Sequence, residues 1–278
     1  MPGSDPADDL RLLIRAAKAA GVMALTYTGT TAKKWDKPKG LGPVTEADLA
    51  VDAMLHETLT GERPAYGWLS EETPDTLDRL DRERVFIIDP IDGTRSFIEG
   101  SDTWAHSLAI AEAGRIIAAV VYLPVKAKLY AAAEGCGASL NEQSIRVSDC
   151  SSLTGAKVLA AKPNYEVRHW PGGVPEVARH YRPSLAYRLS LVAEGRFDAM
   201  LTLRDSWEWD IAAGDLILRE AGAITTTRRG APLCFNNPHP QVDGVVAAGP
   251  GLHGAILSGL GQIGADQSGA HVAGPGRT

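Results

Sequence analysis

Asp89 and Asp92 stand three positions apart at the end of the run Val85-Phe86-Ile87-Ile88, and Gly93-Thr94 follows directly. An apolar stretch rich in β-branched residues reads as a short buried strand. Pro90 has no backbone N–H and a fixed φ, so pairing is expected to stop and the chain to turn there. Gly93 lets the backbone approach a ligand, and Thr94 opens a helix through Ser96 and Phe97. Carboxylates suit a hard divalent cation and a helix N-terminus suits a phosphate, so the segment reads as a metal-plus-phosphate site. An Asp-Pro/Asp-Gly turn without chemistry is the plainer reading of the same residues.

Three further acidic spots punctuate the chain. In Val44-Thr45-Glu46-Ala47-Asp48, Thr45 and Asp48 have capping-box spacing, so Asp48 by itself reads as a helix cap. Glu71 and Glu72 end the strand-like Gly67-Trp68-Leu69-Ser70 and read locally as a solvated pair. Asp210 follows Ser206-Trp207-Glu208-Trp209, whose tryptophans read as packing, with a face toward a substrate base as the alternative. Residues 33–43 are basic and rich in Gly and Pro, which suits a solvated loop, or one that covers a site and reaches for a phosphate. The seven histidines, His106 among them, are scattered without H-E-x-x-H spacing and read as surface or packing residues. Gly135-Cys136-Gly137 lacks the third glycine of a dinucleotide fingerprint, and neither a Walker loop nor a nucleophile elbow occurs.

The elements that must position these residues follow from periodicity. Asp5-Pro6 starts a first helix with Leu10, Leu13, Ile14, Ala17, Ala24 and Thr28 on one stripe. Strands are expected at 107–112 and 115–123, separated by Ala113-Gly114, and at 128–133 and 145–147. The Ser/Thr/Gly-rich stretch 150–155 suggests a boundary. Beyond it come a strand at 158–161, a helix at 175–181, a helix at 185–194 closed by Gly195, and a strand at 197–203. A helix from Asp210 to Gly222, a strand at 242–248 and a helix at 252–260 complete the order. Consecutive strands after two helices give an α+β half over 1–150; alternation gives an α/β half over 151–260. Residues 261–278 read as a loose tail.

The 278 residues are 44% hydrophobic and 22% charged, ordinary for a globular chain with a sizeable core. A net charge of −6 argues against a nucleic-acid polymer or an anionic membrane surface as partner. The N-terminus is acidic where a signal peptide is basic then apolar, and the longest apolar run is too short to span a bilayer. Cys136, Cys150 and Cys234 form no C-x-x-C pair and read as small buried residues in a reducing, cytoplasmic compartment.

Taken together and in this order, the acidic spots resemble the inositol monophosphatase superfamily of metal-dependent, lithium-sensitive phosphatases. Asp89-Pro90-Ile91-Asp92-Gly93-Thr94 matches its D-P-[IL]-D-G-T element. Trp209-Asp210-Ile211-Ala212-Ala213-Gly214, running to Glu220-Ala221-Gly222, matches W-D-x-A-A-G…E-A-G. Val44-Thr45…Asp48 matches V-T-x-x-D, and Glu71-Glu72 the E-E pair. Leu69-Ser70-Glu71-Glu72 and Asp92-Gly93-Thr94-Arg95-Ser96-Phe97-Ile98 look closest to the bacterial 3′(2′),5′-bisphosphate nucleotidases; inositol phosphatases usually carry Gly where Ser70 stands.

The resemblance implies a layered αβαβα sandwich and two or three Mg²⁺ per site. One ion would take Glu71, Asp89 and the Ile91 carbonyl, a second Asp89, Asp92 and Asp210, and a third would lean on Glu71. Four carboxylates that close cannot all stay ionised without cations. Thr94, hydrogen-bonded to Asp48, would orient the attacking water, and the Gly93 and Thr94 N–H groups would hold the phosphate. Arg188 stands near the place of a nucleotidase lysine for a second phosphate. Leu203 replaces the Glu with which inositol phosphatases hold ring hydroxyls. The implied substrate is a small phosphate ester, 3′-phosphoadenosine 5′-phosphate foremost, with inositol 1-phosphate or a sugar phosphate as the alternative. A homodimer is the implied assembly, and a non-catalytic metal-binding regulator is the rival of another class.

Overall fold

The computed structural model describes residues 5–27, 31–38 and 42–262. Asp5 accepts from the Ala7 N–H and caps α1 (Pro6–Ala24), with Asp8 and Asp9 in the positive first turn. Thr28, the last member of the expected stripe, lies outside the described residues. A two-stranded hairpin, β1 (Lys34–Asp36) and β2 (Pro43–Thr45), occupies the basic stretch read as loop and leads into α2 (Glu46–Glu62).

The first half then lays down β3 (Gly67–Ser70), β4 (Arg84–Asp92), the short α3 (Thr94–Ile98), β5 (Ala105–Glu112), β6 (Arg115–Leu123), β7 (Lys128–Ala133), β8 (Ala138–Leu140) and β9 (Gln143–Ser144). These strands form one seven-stranded sheet in chain order, parallel only between β3 and β4. Alternation on β4 shows how the sheet is sandwiched. Phe86 and Ile88 pack with Leu12, Leu13, Leu55 and Leu59 of α1 and α2. Val85 and Ile87 face the other way, into a cluster with Leu189, Leu191, Leu216 and Ile217. A strand covered on both faces is apolar throughout rather than alternating.

The second half supplies β10 (Lys157–Ala160), β11 (Ala178–His180), α4 (Leu185–Ala193), β12 (Ala199–Thr202), β13 (Ser206–Trp207), α5 (Glu208–Glu220), β14 (Ile224–Thr226), β15 (Gln241–Val242), β16 (Val245–Ala248) and α6 (Pro250–Gly259). Its five-stranded sheet runs β11-β10-β12-β16-β14. Met200 and Ala247 on one face join the α4–α5 cluster, while Leu201, Val246 and Ala248 on the other pack under Leu252 and Ile256 of α6. The layers are therefore α1/α2, sheet, α4/α5, sheet, α6, the expected αβαβα sandwich.

Several expected elements are corrected. The helix at 175–181 is instead edge strand β11, parallel to β10. Pro175 and Pro183 leave too few residues for a stable helix, and the β10 edge offers a ladder. Ile145–Val147 is irregular, the sheet closing at β9. The last strand breaks into β15 and β16 at Gly244, whose φ is +67°. Cys136 and Cys234 are exposed, not buried, Cys136 on a Gly-flanked turn. All but two residues of the expected tail, 263–278, lie outside the described residues. No helix among the described residues is long and apolar enough to cross a membrane.

Candidate metal centre

Pro90 does not end β4; it makes a bulge. Asp89 pairs with Ser107 and Asp92 with Ala105, so Pro90 and Ile91 together face His106 alone. The missing N–H of Pro90 costs no ladder bond at an unpaired position, and the extra residue re-aims the chain end. His106, fully buried, holds the bulge: its Nδ1 lies 2.5 Å from the Pro90 carbonyl, so Nδ1 carries the proton, and Nε2 has no hydrogen-bond partner among the described residues. Gly93 follows at φ +102°, where a Cβ would also meet the Thr103 carbonyl at 3.3 Å.

Asp210 reaches this point from the other half. Ser107, the register partner of Asp89, donates from Oγ to the Trp209 carbonyl at 2.9 Å, which fixes the first turn of α5 against β5. Trp207 and Trp209 stack at 4.7 Å and pack there, as read from the sequence. Asp89, Asp92 and Asp210 then bring carboxylate oxygens within 4.8 Å of one another. Asp92 also anchors the start of α4, where its Oδ2 accepts from Ser184 Oγ at 2.7 Å and from the Ala186 N–H at 2.6 Å.

Asp48 divides its two oxygens. Oδ2 accepts from the Thr45 N–H and Oγ1 at 2.8 and 2.5 Å, completing the capping box, while Oδ1 accepts from Thr94 Oγ1 at 3.2 Å. Thr94 Oγ1 also lies 3.3 Å from the Ile91 carbonyl. Glu71 stands outside the three-carboxylate group. Its Oε1 accepts from Lys37 Nζ at 2.7 Å, and Glu72 Oε1 accepts from the same ammonium at 2.7 Å. Lys37 comes from the basic stretch read as solvated; the sequence signal for it was that stretch's charge in an acidic chain.

The electrostatics fit a cation. Burial, then the charges of Glu71, Asp92 and Asp210, push the Asp89 carboxyl well up. Burial and the Asp92 and Glu71 charges do the same to Asp210. Asp92 rises to about 6 by burial, against donors from Ser184 and Ala186. Asp48 rises to about 6, again by burial. Glu72 rises to about 7 by burial and the Glu71 charge, despite Lys37. Asp89 Oδ1 is buried with no hydrogen-bond partner among the described residues. Like-charged, desolvated, unpaired oxygens are what a hard cation with oxygen ligands satisfies.

Two guanidiniums act on this cluster. Arg188 is buried; it donates from Nε to the Arg182 carbonyl and from Nη2 to the Pro183 carbonyl at 3.1 Å, and it stacks 4.4 Å from the Tyr181 ring centroid. Its charge still bears on Asp92 and Asp210. Arg204 is exposed and its charge also bears on Asp210. Sequence reasoning missed it because nothing local distinguishes it from a loop charge. Leu203 does not wall the site: it packs with Trp170, Leu201, Leu252 and Leu260 in the cluster under α6.

The model of the inositol monophosphatase family matches residues 5–265. An inositol-1-monophosphatase of Mesorhizobium japonicum is 30% identical over 267 residues, covering 90% of this chain and 95% of its own. The Nus factor SuhB of Vibrio cholerae is 33% identical, over 89% of this chain and 94% of its own. Among solved structures, an IMPase of Thermotoga maritima superposes with TM-score 0.78 at 26% identity, over 92% of this chain and 97% of its own.

Proposed function

The chain belongs to the inositol monophosphatase family and is a phosphatase of it, and from that premise we propose that it removes the 3′-phosphate of 3′-phosphoadenosine 5′-phosphate, using two or three Mg²⁺. The observation that carries the chemistry is the Asp89–Asp92–Asp210 cluster, its first two members buried and the third half-buried, with its unpartnered oxygen on Asp89. In this proposal Asp89, Asp92, Asp210, Glu71 and the Ile91 carbonyl hold the ions, Glu71 after exchanging its Lys37 contact. When bound, Mg²⁺ supplies positive charge for the phosphate oxygens and makes water easier to deprotonate near neutral pH. Asp48, ionised at neutral pH, accepts the Thr94 hydroxyl hydrogen bond at Oδ1, so a lone pair of Thr94 Oγ1 is free to orient the attacking water; as that water gives its proton to Oγ1, the Thr94 hydroxyl proton passes to Asp48 Oδ1. The Gly93 and Thr94 N–H groups hold the phosphate at the uncapped start of α3.

The substrate preference rests on Arg188 and Arg204, two positive charges beside the acids where a second phosphate would lie. Arg188 spends two of its five N–H donors on carbonyls, and in this proposal others of the five turn to the second phosphate. Inositol 1-phosphate is the second reading, favoured by the inositol-1-monophosphatase relatives. Work as a cytoplasmic homodimer is part of the proposal, drawn from the composition and the family.

The test is kcat/KM for both esters with Mg²⁺, repeated with EDTA, Li⁺ and Ca²⁺. We expect the bisphosphate to be preferred and EDTA to abolish turnover. Both other cations should inhibit, Ca²⁺ because it takes a larger and looser ligand shell. Arg188→Ala should raise KM for the bisphosphate. Better use of inositol 1-phosphate by the wild type would reject the substrate, and full activity in EDTA would reject the metal ions.

A further inference from the structure

Asp52 lies one turn beyond Asp48 on the same face of α2 and is buried. Its Oδ1 accepts from Ser70 Oγ at 2.5 Å and its Oδ2 from Thr73 Oγ1 at 2.6 Å. These two hydroxyls stand immediately before Glu71 and immediately after Glu72. One carboxylate therefore grips the chain on both sides of the acid pair. The grip is reinforced locally: Ser70 Oγ accepts from the Glu72 N–H at 3.4 Å, and Thr73 Oγ1 accepts from Trp68 Nε1 at 3.2 Å. No cation pairs with Asp52 among the described residues, so its burial is compensated by hydroxyl donors alone.

We propose that Asp52 is a positioning residue for the cation site. Through Ser70 and Thr73 it sets the direction in which Glu71 leaves β3, and α2 acts as the common ruler. Asp48 fixes Thr94 from one turn of that helix, and Asp52 fixes the Glu71 segment from the next. Residues behind metal ligands act by orienting them, so loosening them weakens the metal more than the fold. A helix-to-strand tie of purely structural use would do the reverse. The inference rests on Glu71 as a metal ligand, and it extends to Ser70, whose hydroxyl is needed for half of the grip.

The experiment measures Mg²⁺ binding to the full chain by calorimetry without substrate, together with the unfolding temperature in EDTA. Asp52→Ala should weaken Mg²⁺ binding by roughly 10–100-fold, the usual range for groups behind a ligand. Asp52→Asn should recover most of it, since an amide can donate to one hydroxyl and accept from the other. Ser70→Ala and Thr73→Val should each weaken binding by part of that amount, and they decide the matter if Asp52→Ala does not fold. Glu71→Gln is the control. If it weakens Mg²⁺ binding while the Asp52, Ser70 and Thr73 variants lower only the unfolding temperature in EDTA, the positioning role is overturned and the ligand assignment stands. If Glu71→Gln leaves Mg²⁺ affinity unchanged, the ligand assignment fails and takes the inference with it.

Discussion

One carboxylate can serve the fold and the chemistry at once when its two oxygens face different ways. Asp48 caps α2 with Oδ2 and holds Thr94 with Oδ1, so its capping-box reading was correct and incomplete. Spacing within one helix was legible; the partner 46 residues away was not, and only the family resemblance pointed to it. Thr94→Ala keeps that cap, so the variant should fold and bind Mg²⁺ but lose roughly 10²–10⁴-fold in kcat, the worth of positioned acid–base help. A rate near wild type would remove Thr94 and Asp48 from the proton path. His106 was read as packing and proves to hold the Pro90 bulge. Burial lowers its pKa to about 4, against the pull of the Pro90 carbonyl. The sign follows from linkage: below the ordinary value of about 6.5 the unfolded chain takes a proton that the folded chain refuses. This contribution is intact above pH 6.5 and is lost as pH falls to about 4, by about 3 kcal/mol in all. His106→Asn can still donate to the Pro90 carbonyl but does not titrate there. Urea unfolding across that window should show a flatter profile for the variant than for the wild type.

At the scale of elements, α4 and α5 explain residues that a motif alone leaves unexplained. Gly214 lies on α5 where an added Cβ would overlap the Leu189 side chain of α4. Gly214 thus lets the two helices approach closely between the sheets. Gly214→Val should overpack this layer and cost about 1–3 kcal/mol, read as a lower urea midpoint with an unchanged m-value. An unchanged midpoint would show that the helices can part without loss. The α4 start is bound to the site as well, since Asp92 Oδ2 receives Ser184 Oγ and the Ala186 N–H. Helices with long apolar periods were legible because their pattern is local, as in 185–194. The stretch 175–181 was not: its fate as strand β11 depended on the free edge of β10, which no local pattern contains.

At the scale of the molecule, the acid cluster joins the halves, with Asp89 and Asp92 from one and Asp210 from the other. Without cations it opposes folding through burial and repulsion. A ligand that binds only the folded state adds RT ln(1 + [L]/Kd), about 2.7 kcal/mol at 100 times Kd. Mg²⁺ should therefore raise the urea midpoint of the wild type well above its value in EDTA. Asp210→Asn removes one of the repelling charges and one of the ligands, so it should be at least as stable as the wild type in EDTA and gain less from Mg²⁺. An equal gain would place the ions away from Asp210. The order of helices and strands is legible in apolar period, a local property, whereas the layer order and the membership of the acid cluster came only from the motifs' resemblance to the family. The tertiary structure alone decided which groups answer them: the Pro90 bulge against His106, Lys37 across Glu71 and Glu72, Asp52 around the same pair, Arg204 beside Asp210, and Leu203 turned into the core. Each of these depends on a partner distant in sequence, brought near only when both sheets have closed on α4 and α5.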